Sequence, residues 1–167
     1  MPDIRESIDG AVAYLSEHPD EAGYTDSVAT AVLEGGLRFR VTGPQGEELT
    51  TDMPSAVGGG AAGLSPGWLL RAALASCAGS LVAMEAARTG ITLTALSVDV
   101  DSESDDRGIL GMDPDVPAGP LSVRIRVGAS VDGAGGAEAE AAIRRAIELC
   151  PVADAVRRAV DQTVEVV

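Results

Sequence analysis

From Ser65 to about Thr89 the chain reads as one long helix whose apolar residues run all the way round it. A surface helix shows one apolar stripe, whereas a helix that is apolar on every side has to be enclosed by other elements. Ser65 suits the N-cap and Pro66 the first helical position, because the hydroxyl can accept an orphan amide and proline has no amide to lose. Gly90 ends the run. The remaining sequence must therefore supply layers around a central buried helix. It must do so almost without aromatic side chains, since Phe39, Trp68, Tyr14 and Tyr24 are the whole set. A core of Ala, Val, Leu and Ile requires many closely packed elements or a subunit interface.

The flanking segments give those layers. Ile4, Ile8, Val12 and Leu15 recur at helical spacing and predict an amphipathic helix over 3–17. Residues 28–33, the Glu34-Gly35-Gly36 turn and residues 37–41 predict a hairpin, and Gly43-Pro44-Gln45-Gly46 leads to a short strand over 48–51. Three consecutive strands make an antiparallel meander. The glycine-rich residues 58–63 predict a mobile loop, for binding or mere connection. After the long helix, alternation predicts strands over 93–101 and 121–127, separated by an exposed loop that is acidic at 101–106 and rich in Gly and Pro at 108–120. Gly133-Ala134-Gly135-Gly136 precedes a helix over 137–149; a further helix over about 151–160 and a last strand over 163–166 follow. The fold class is α+β.

At 167 residues the chain is one domain, or one domain with an appended arm, and at 46% hydrophobic it is globular. A formal charge of −14 argues against nucleic acid or an anionic membrane as partner, because phosphate binding needs clustered cations. All twelve basic residues are arginine, which reflects genome composition more than chemistry. Neither a leader-like N-terminus nor an apolar span long enough for a membrane is read, so a cytoplasmic location is expected. His18 stands where the first helix should end, a place that favours a cation. One histidine and two distant thiols give a metal site or a Ser-His-Asp triad almost no material, and no metal or cofactor is expected.

The chemistry that remains rests on Cys77 and Cys150, 73 positions apart. Cys77 lies about three turns into the long helix, desolvated by Ala73, Leu74, Ala78 and Leu81. Cys150 precedes Pro151, which puts it at an N-cap where amides favour an anion, while Leu149 and Val152 favour the neutral thiol. Read from the residues alone, the pair is either a shared redox site or two small core hydrophobes.

The surroundings of both thiols carry a resemblance. Ser65-Pro66, a leucine-rich turn, Ala72-Ala73 and then Ser76-Cys77, with Cys150-Pro151-Val152 far downstream and Glu34-Gly35-Gly36-Leu37-Arg38-Phe39 upstream, is similar to the OsmC/Ohr family of hydroperoxide-resistance proteins. The likeness covers residues 24–167, leaving 1–23 as an N-terminal helical extension. It implies an intertwined homodimer with active sites at the subunit interface, acting as a thiol peroxidase. Cys77 would attack an organic hydroperoxide and become a sulfenic acid, Cys150 would close a disulfide with it, and a lipoyl-type dithiol would reopen that bond. Two supports differ. Peroxidase members have a glutamate where this chain has Gly67, and an arginine in the loop between the first two strands, where residues 24–36 contain none. Arg38 and Arg40, expected one per face of the next strand, and Arg71 on the long helix are the candidate substitutes for stabilising the thiolate. The alternative is a non-catalytic dimer of the same fold that binds a small apolar ligand.

Overall fold

The computed structural model describes residues 3–132 and 136–166, so the Gly133-Ala134-Gly135 approach to the third long helix lies outside the described residues. In chain order it carries α1 (Ile4–Glu17), β1 (Thr30–Gly35), β2 (Arg38–Thr42), β3 (Glu48–Thr51), α2 (Pro66–Thr89), β4 (Leu93–Glu103), α3 (Asp106–Ile109), β5 (Ser122–Val131), α4 (Gly136–Glu148) and α5 (Pro151–Arg157). The chain divides into two compact units, one spanning Ala11–Leu70, the other combining residues up to Gly10 with those from Arg71 onward.

The first unit holds the meander. β1 pairs antiparallel with β2, with Val32 opposite Arg40 and Leu33 opposite Phe39; β2 pairs with β3, with Phe39 opposite Thr51. The connection after β1 turns through Gly36 at φ 58, a left-handed conformation that favours glycine. α1 ends where His18 does: its amide donates to the Tyr14 carbonyl at 2.9 Å, and its ring stacks on that of Tyr14 with centroids 4.3 Å apart.

In the second unit β4 and β5 form a long antiparallel ladder, with Val98 opposite Val127 and Asp101 opposite Arg124. Val98, Val100, Val123 and Ile125 point inward against buried Leu74, Ala78, Cys150 and Ala153. On the outer face Asp101 takes both Arg124 (3.0 Å) and Arg126 (2.6 Å). These arginines explain why the strand runs on to Glu103 where the acidic residues alone predicted a loop. The following connection is also less irregular than expected: Asp105 caps the short α3, accepting the Arg107 amide at 3.0 Å.

Four further expectations are corrected. α2 is not enclosed all round: Leu74, Ala78, Val82 and Ala86 form one buried stripe, while Ala73, Ser76, Ser80 and Met84 are exposed on another face. An 18-residue stretch within its 24 residues also reaches a mean hydropathy of 1.4, so by length and composition one helix of the chain could cross a membrane; here its stripe packs in the protein core instead. At the C-terminus α5 stops at Arg157, and residues 163–166 form no strand. Alternation needs a strand edge to pair with, and Val164 and Val166 remain exposed with none.

Candidate active site

The helix that carries Cys77 starts as its sequence predicts. The Trp68 amide donates to Ser65 Oγ at 3.2 Å, and Pro66 takes the first helical position. Cys77 is half-buried, Cys150 fully buried, and both are free thiols. Cys77 packs on the cluster that encloses Cys150 and Ala153, so the fold brings the two cysteines together. Cys150 is the N-cap of α5, with Pro151 next, yet its side chain makes no cap hydrogen bond. Burial pushes the Cys150 thiol above its ordinary range; the Ala153 amide at the start of α5 opposes this, and the adjacent Cys77 side chain adds to the rise. Of the two opposing influences read from the sequence, desolvation therefore outweighs the helix terminus.

The candidate arginines divide. Arg38 and Arg40 sit on β2 in the other unit, and both turn to Glu34, at 3.3 and 3.2 Å; Arg40 also lies 3.9 Å from Glu48. They share a side of the strand rather than one per face, as positions two apart must. Arg71, in the same unit as the thiols, donates from Nη1 to Ser102 Oγ at 3.3 Å. Among the described residues it has no carboxylate partner.

Two buried carboxylates escaped the sequence reading. Asp52, at the end of β3, accepts the amides of Met53 (2.8 Å), Gly60 (3.0 Å) and Ala62 (3.1 Å). The Ala62 amide foremost, with those of Met53 and Gly60 and the charge of Arg38, holds its carboxyl below the usual range against the cost of burial. The glycine-rich stretch is thus a loop folded around an anion rather than a mobile connector. Close approach requires the glycines: a Cβ on Gly60 would lie 2.9 Å from Asp52 Oδ2, and one on Gly63 2.6 Å from the Thr50 carbonyl oxygen. Beside this loop lies a hollow of about 350 Å³ bounded by Pro54, Leu64 and Trp68. Asp52 stands six residues before Gly58, and the loop between them has to fold back for the Gly60 and Ala62 amides to reach it, which no local pattern announces. The second, Glu85, bonds Arg88 and Arg145 and left no local trace either.

An antiparallel α+β fold with a long apolar helix and two free thiols in one cluster defines a two-thiol protein. The family model described as OsmC-like protein matches residues 58–165, and the chain belongs to that family. Among solved structures it is similar to an organic hydroperoxide resistance protein OsmC from Legionella pneumophila, at 25% identity over 81% of this chain and 91% of that one, with a TM-score of 0.58. An OsmC-like protein from Mycoplasma pneumoniae is 19% identical over 81% of this chain and 89% of its own, with a TM-score of 0.68. The organic hydroperoxide resistance protein OhrB of Bacillus subtilis is 21% identical over 80% and 91%, with a TM-score of 0.53. No curated protein sequence matches the chain.

Proposed function

We propose that this OsmC-like protein is a thiol-dependent peroxidase that reduces organic hydroperoxides to alcohols, working as a homodimer. The observation that carries the reading is the placement of half-buried Cys77 against fully buried Cys150 in one apolar cluster. Cys77 thiolate attacks the terminal peroxide oxygen; the O–O bond breaks, the alkoxide leaves and takes a proton to become the alcohol, and the sulfur becomes a sulfenic acid. Cys150 then attacks that sulfur, water leaves and the Cys77–Cys150 disulfide forms. A dithiol, of the lipoyl type in well-known members of the family, returns both thiols by exchange. Burial that keeps Cys150 protonated suits a thiol that waits, and apolar walls favour an organic hydroperoxide over hydrogen peroxide. Arg71 is the nearest candidate by chain and unit for steadying the thiolate, since Arg38 and Arg40 are engaged by Glu34.

Titrating the reduced protein with cumene hydroperoxide tests this. Both thiols should disappear with one equivalent of peroxide, and Cys77→Ser should abolish the loss. In Cys150→Ser, Cys77 should gain oxygen atoms by intact mass instead of forming a disulfide. Thiols that survive excess peroxide would sink the peroxidase.

A second reading, a non-catalytic dimer that holds a small apolar ligand, is favoured by one specific feature. A cleft of about 670 Å³ opens between β5 and α4, walled by Ile125, Val127, Ile143 and Ile147. Gly67 in the place of the family glutamate points the same way. Retention of an apolar fluorophore together with inert thiols would select it.

A further inference from the structure

A charged clamp stands between the helix that carries Cys77 and the helix that leads to Cys150. Glu85 on α2 has its side chain only 6% exposed. From its own helix, Arg88 donates through Nε to Oε2 at 2.9 Å and through Nη2 to Oε1 at 2.8 Å. From α4, Arg145 brings its Nε to 3.1 Å from Oε1. The bond from Arg88 first, with both cationic charges, holds the Glu85 carboxyl below its ordinary range in spite of burial.

Around this clamp the fully buried apolar side chains of the two helices are mostly small. The buried residues of α2 here are Ala78, Val82 and Ala86; those of α4 are Ala139, Ala142 and Ala146. Val82 and Ala86 of α2 and Ala139, Ala142 and Ile143 of α4 line one void of about 10 Å³, so Ile143 is the one large side chain the two helices contribute there. Register between helices is normally fixed by side-chain ridges seated in grooves, and methyl groups make shallow ridges. A single polar pair can specify register where apolar packing leaves it open. The tolerance at the thiols is narrow. A slip of one residue moves a helix about 1.5 Å along its axis, while a disulfide needs its sulfurs about 2 Å apart and its Cα atoms within about 7 Å. Cys77 lies two turns before Glu85 on the same helix, and Cys150 follows Arg145 by five residues, so displacement at the clamp is carried to the sulfurs.

We propose that Glu85 and Arg145 are positioning residues for the thiol pair, their contact setting the register of α4 on α2 and with it the meeting of Cys77 and Cys150. The proposal deepens the two-thiol reading above and rests on it for its use in turnover. Its test uses no peroxide.

Diamide, an azo oxidant, takes two electrons and two protons from a pair of thiols; the S–S bond forms and the azo group becomes a hydrazine. The reduced wild-type protein should close Cys77–Cys150, followed by thiol counting and non-reducing mass mapping. R145Q, at a half-exposed site that accommodates the change, should close about ten-fold more slowly or worse, given the cost of misplacing reacting groups. R145K should recover most of the rate, and E85Q should behave as R145Q does. V82A loosens the same seam without touching a charge; it should lower thermal stability with no comparable slowing. Equal rates in wild type and R145Q, or the same slowing in V82A, would overturn the positioning role. A wild-type pair that diamide cannot join would overturn the positioning role and the two-thiol reading together. A pair that diamide closes in an Arg145-dependent way but cumene hydroperoxide leaves alone keeps the positioning role and removes the peroxidase.

Discussion

Cys150 and Asp52 are ionisable groups whose surroundings push in opposite directions, and each ties stability to pH. The folded chain binds a proton at Cys150 more tightly than an unfolded chain does, because burial penalises the thiolate. That contribution is complete below the ordinary thiol pKa of about 8.5 and is lost as pH rises through the higher folded value. Asp52 is the reverse case. The amides of Ala62, Met53 and Gly60 bind its anion, so its contribution is complete above the ordinary carboxylate value of about 3.9 and is lost as pH falls. Thermal midpoints measured across pH should therefore decline on both sides of neutrality. C150A should flatten the alkaline limb and D52N should remove part of the acid limb, the rest belonging to Glu85, Asp101 and Asp105, whose carboxyls are also held low. An alkaline limb unchanged in C150A would refute the assignment of Cys150.

At the scale of elements, glycine has opposite meanings in two places. Gly59 packs so closely that a Cβ would collide with the Met53 carbonyl oxygen, whereas Gly10 in α1 has open space around it. Gly59→Ala should cost about 1–3 kcal/mol, as forced overpacking does, and Gly10→Ala should gain about 0.5–1 kcal/mol from helix propensity. Denaturant titration of both variants checks the contrast; a Gly59→Ala variant as stable as wild type would show that the Asp52 loop gives way. The same loop marks where sequence stops being legible. Local signals sufficed for the meander, with its turns at Gly36 and Gly46, for the Ser65-Pro66 helix start and for Cys150 at an N-cap, because each is decided by neighbours within a few residues. The chain extension of β4 to Glu103 depends on arginines more than twenty positions away, and the Glu85–Arg145 contact spans sixty. The cysteines were found by type and motif, but their adjacency depends on α4 returning along α2, a tertiary fact that no local pattern encodes. The departure of Arg38 and Arg40 from the one-per-face expectation has a simpler reason: strand geometry puts positions two apart on one side, where Glu34 collects both.

For the molecule as a whole, the open face of α2 is what a single chain leaves unexplained. A helix with an 18-residue stretch of mean hydropathy 1.4 keeps Ala73, Ser76, Ser80 and Met84 exposed while burying only the opposite stripe. Small residues let two helices approach closely, so the proposed homodimer would bring α2 of one protomer against α2 of its partner through this face. Each chain carries a formal charge of −14, and association therefore joins two like-charged bodies. Self-repulsion of that kind is long-ranged and screened by salt, with a Debye length of about 30 Å at 0.01 M and about 8 Å at 0.15 M. Apolar burial at the helix face is not weakened by the same salt. Sedimentation equilibrium should thus find a dimer that tightens as sodium chloride rises through this range, the opposite of an interface held by ion pairs. Ser80→Arg, placing a bulky cation in the middle of the face, should give a monomer at micromolar concentration whose far-UV spectrum is unchanged. A dimer that survives Ser80→Arg, or one that loosens with salt, would move the interface away from α2 and leave its apolar face to be explained by another partner.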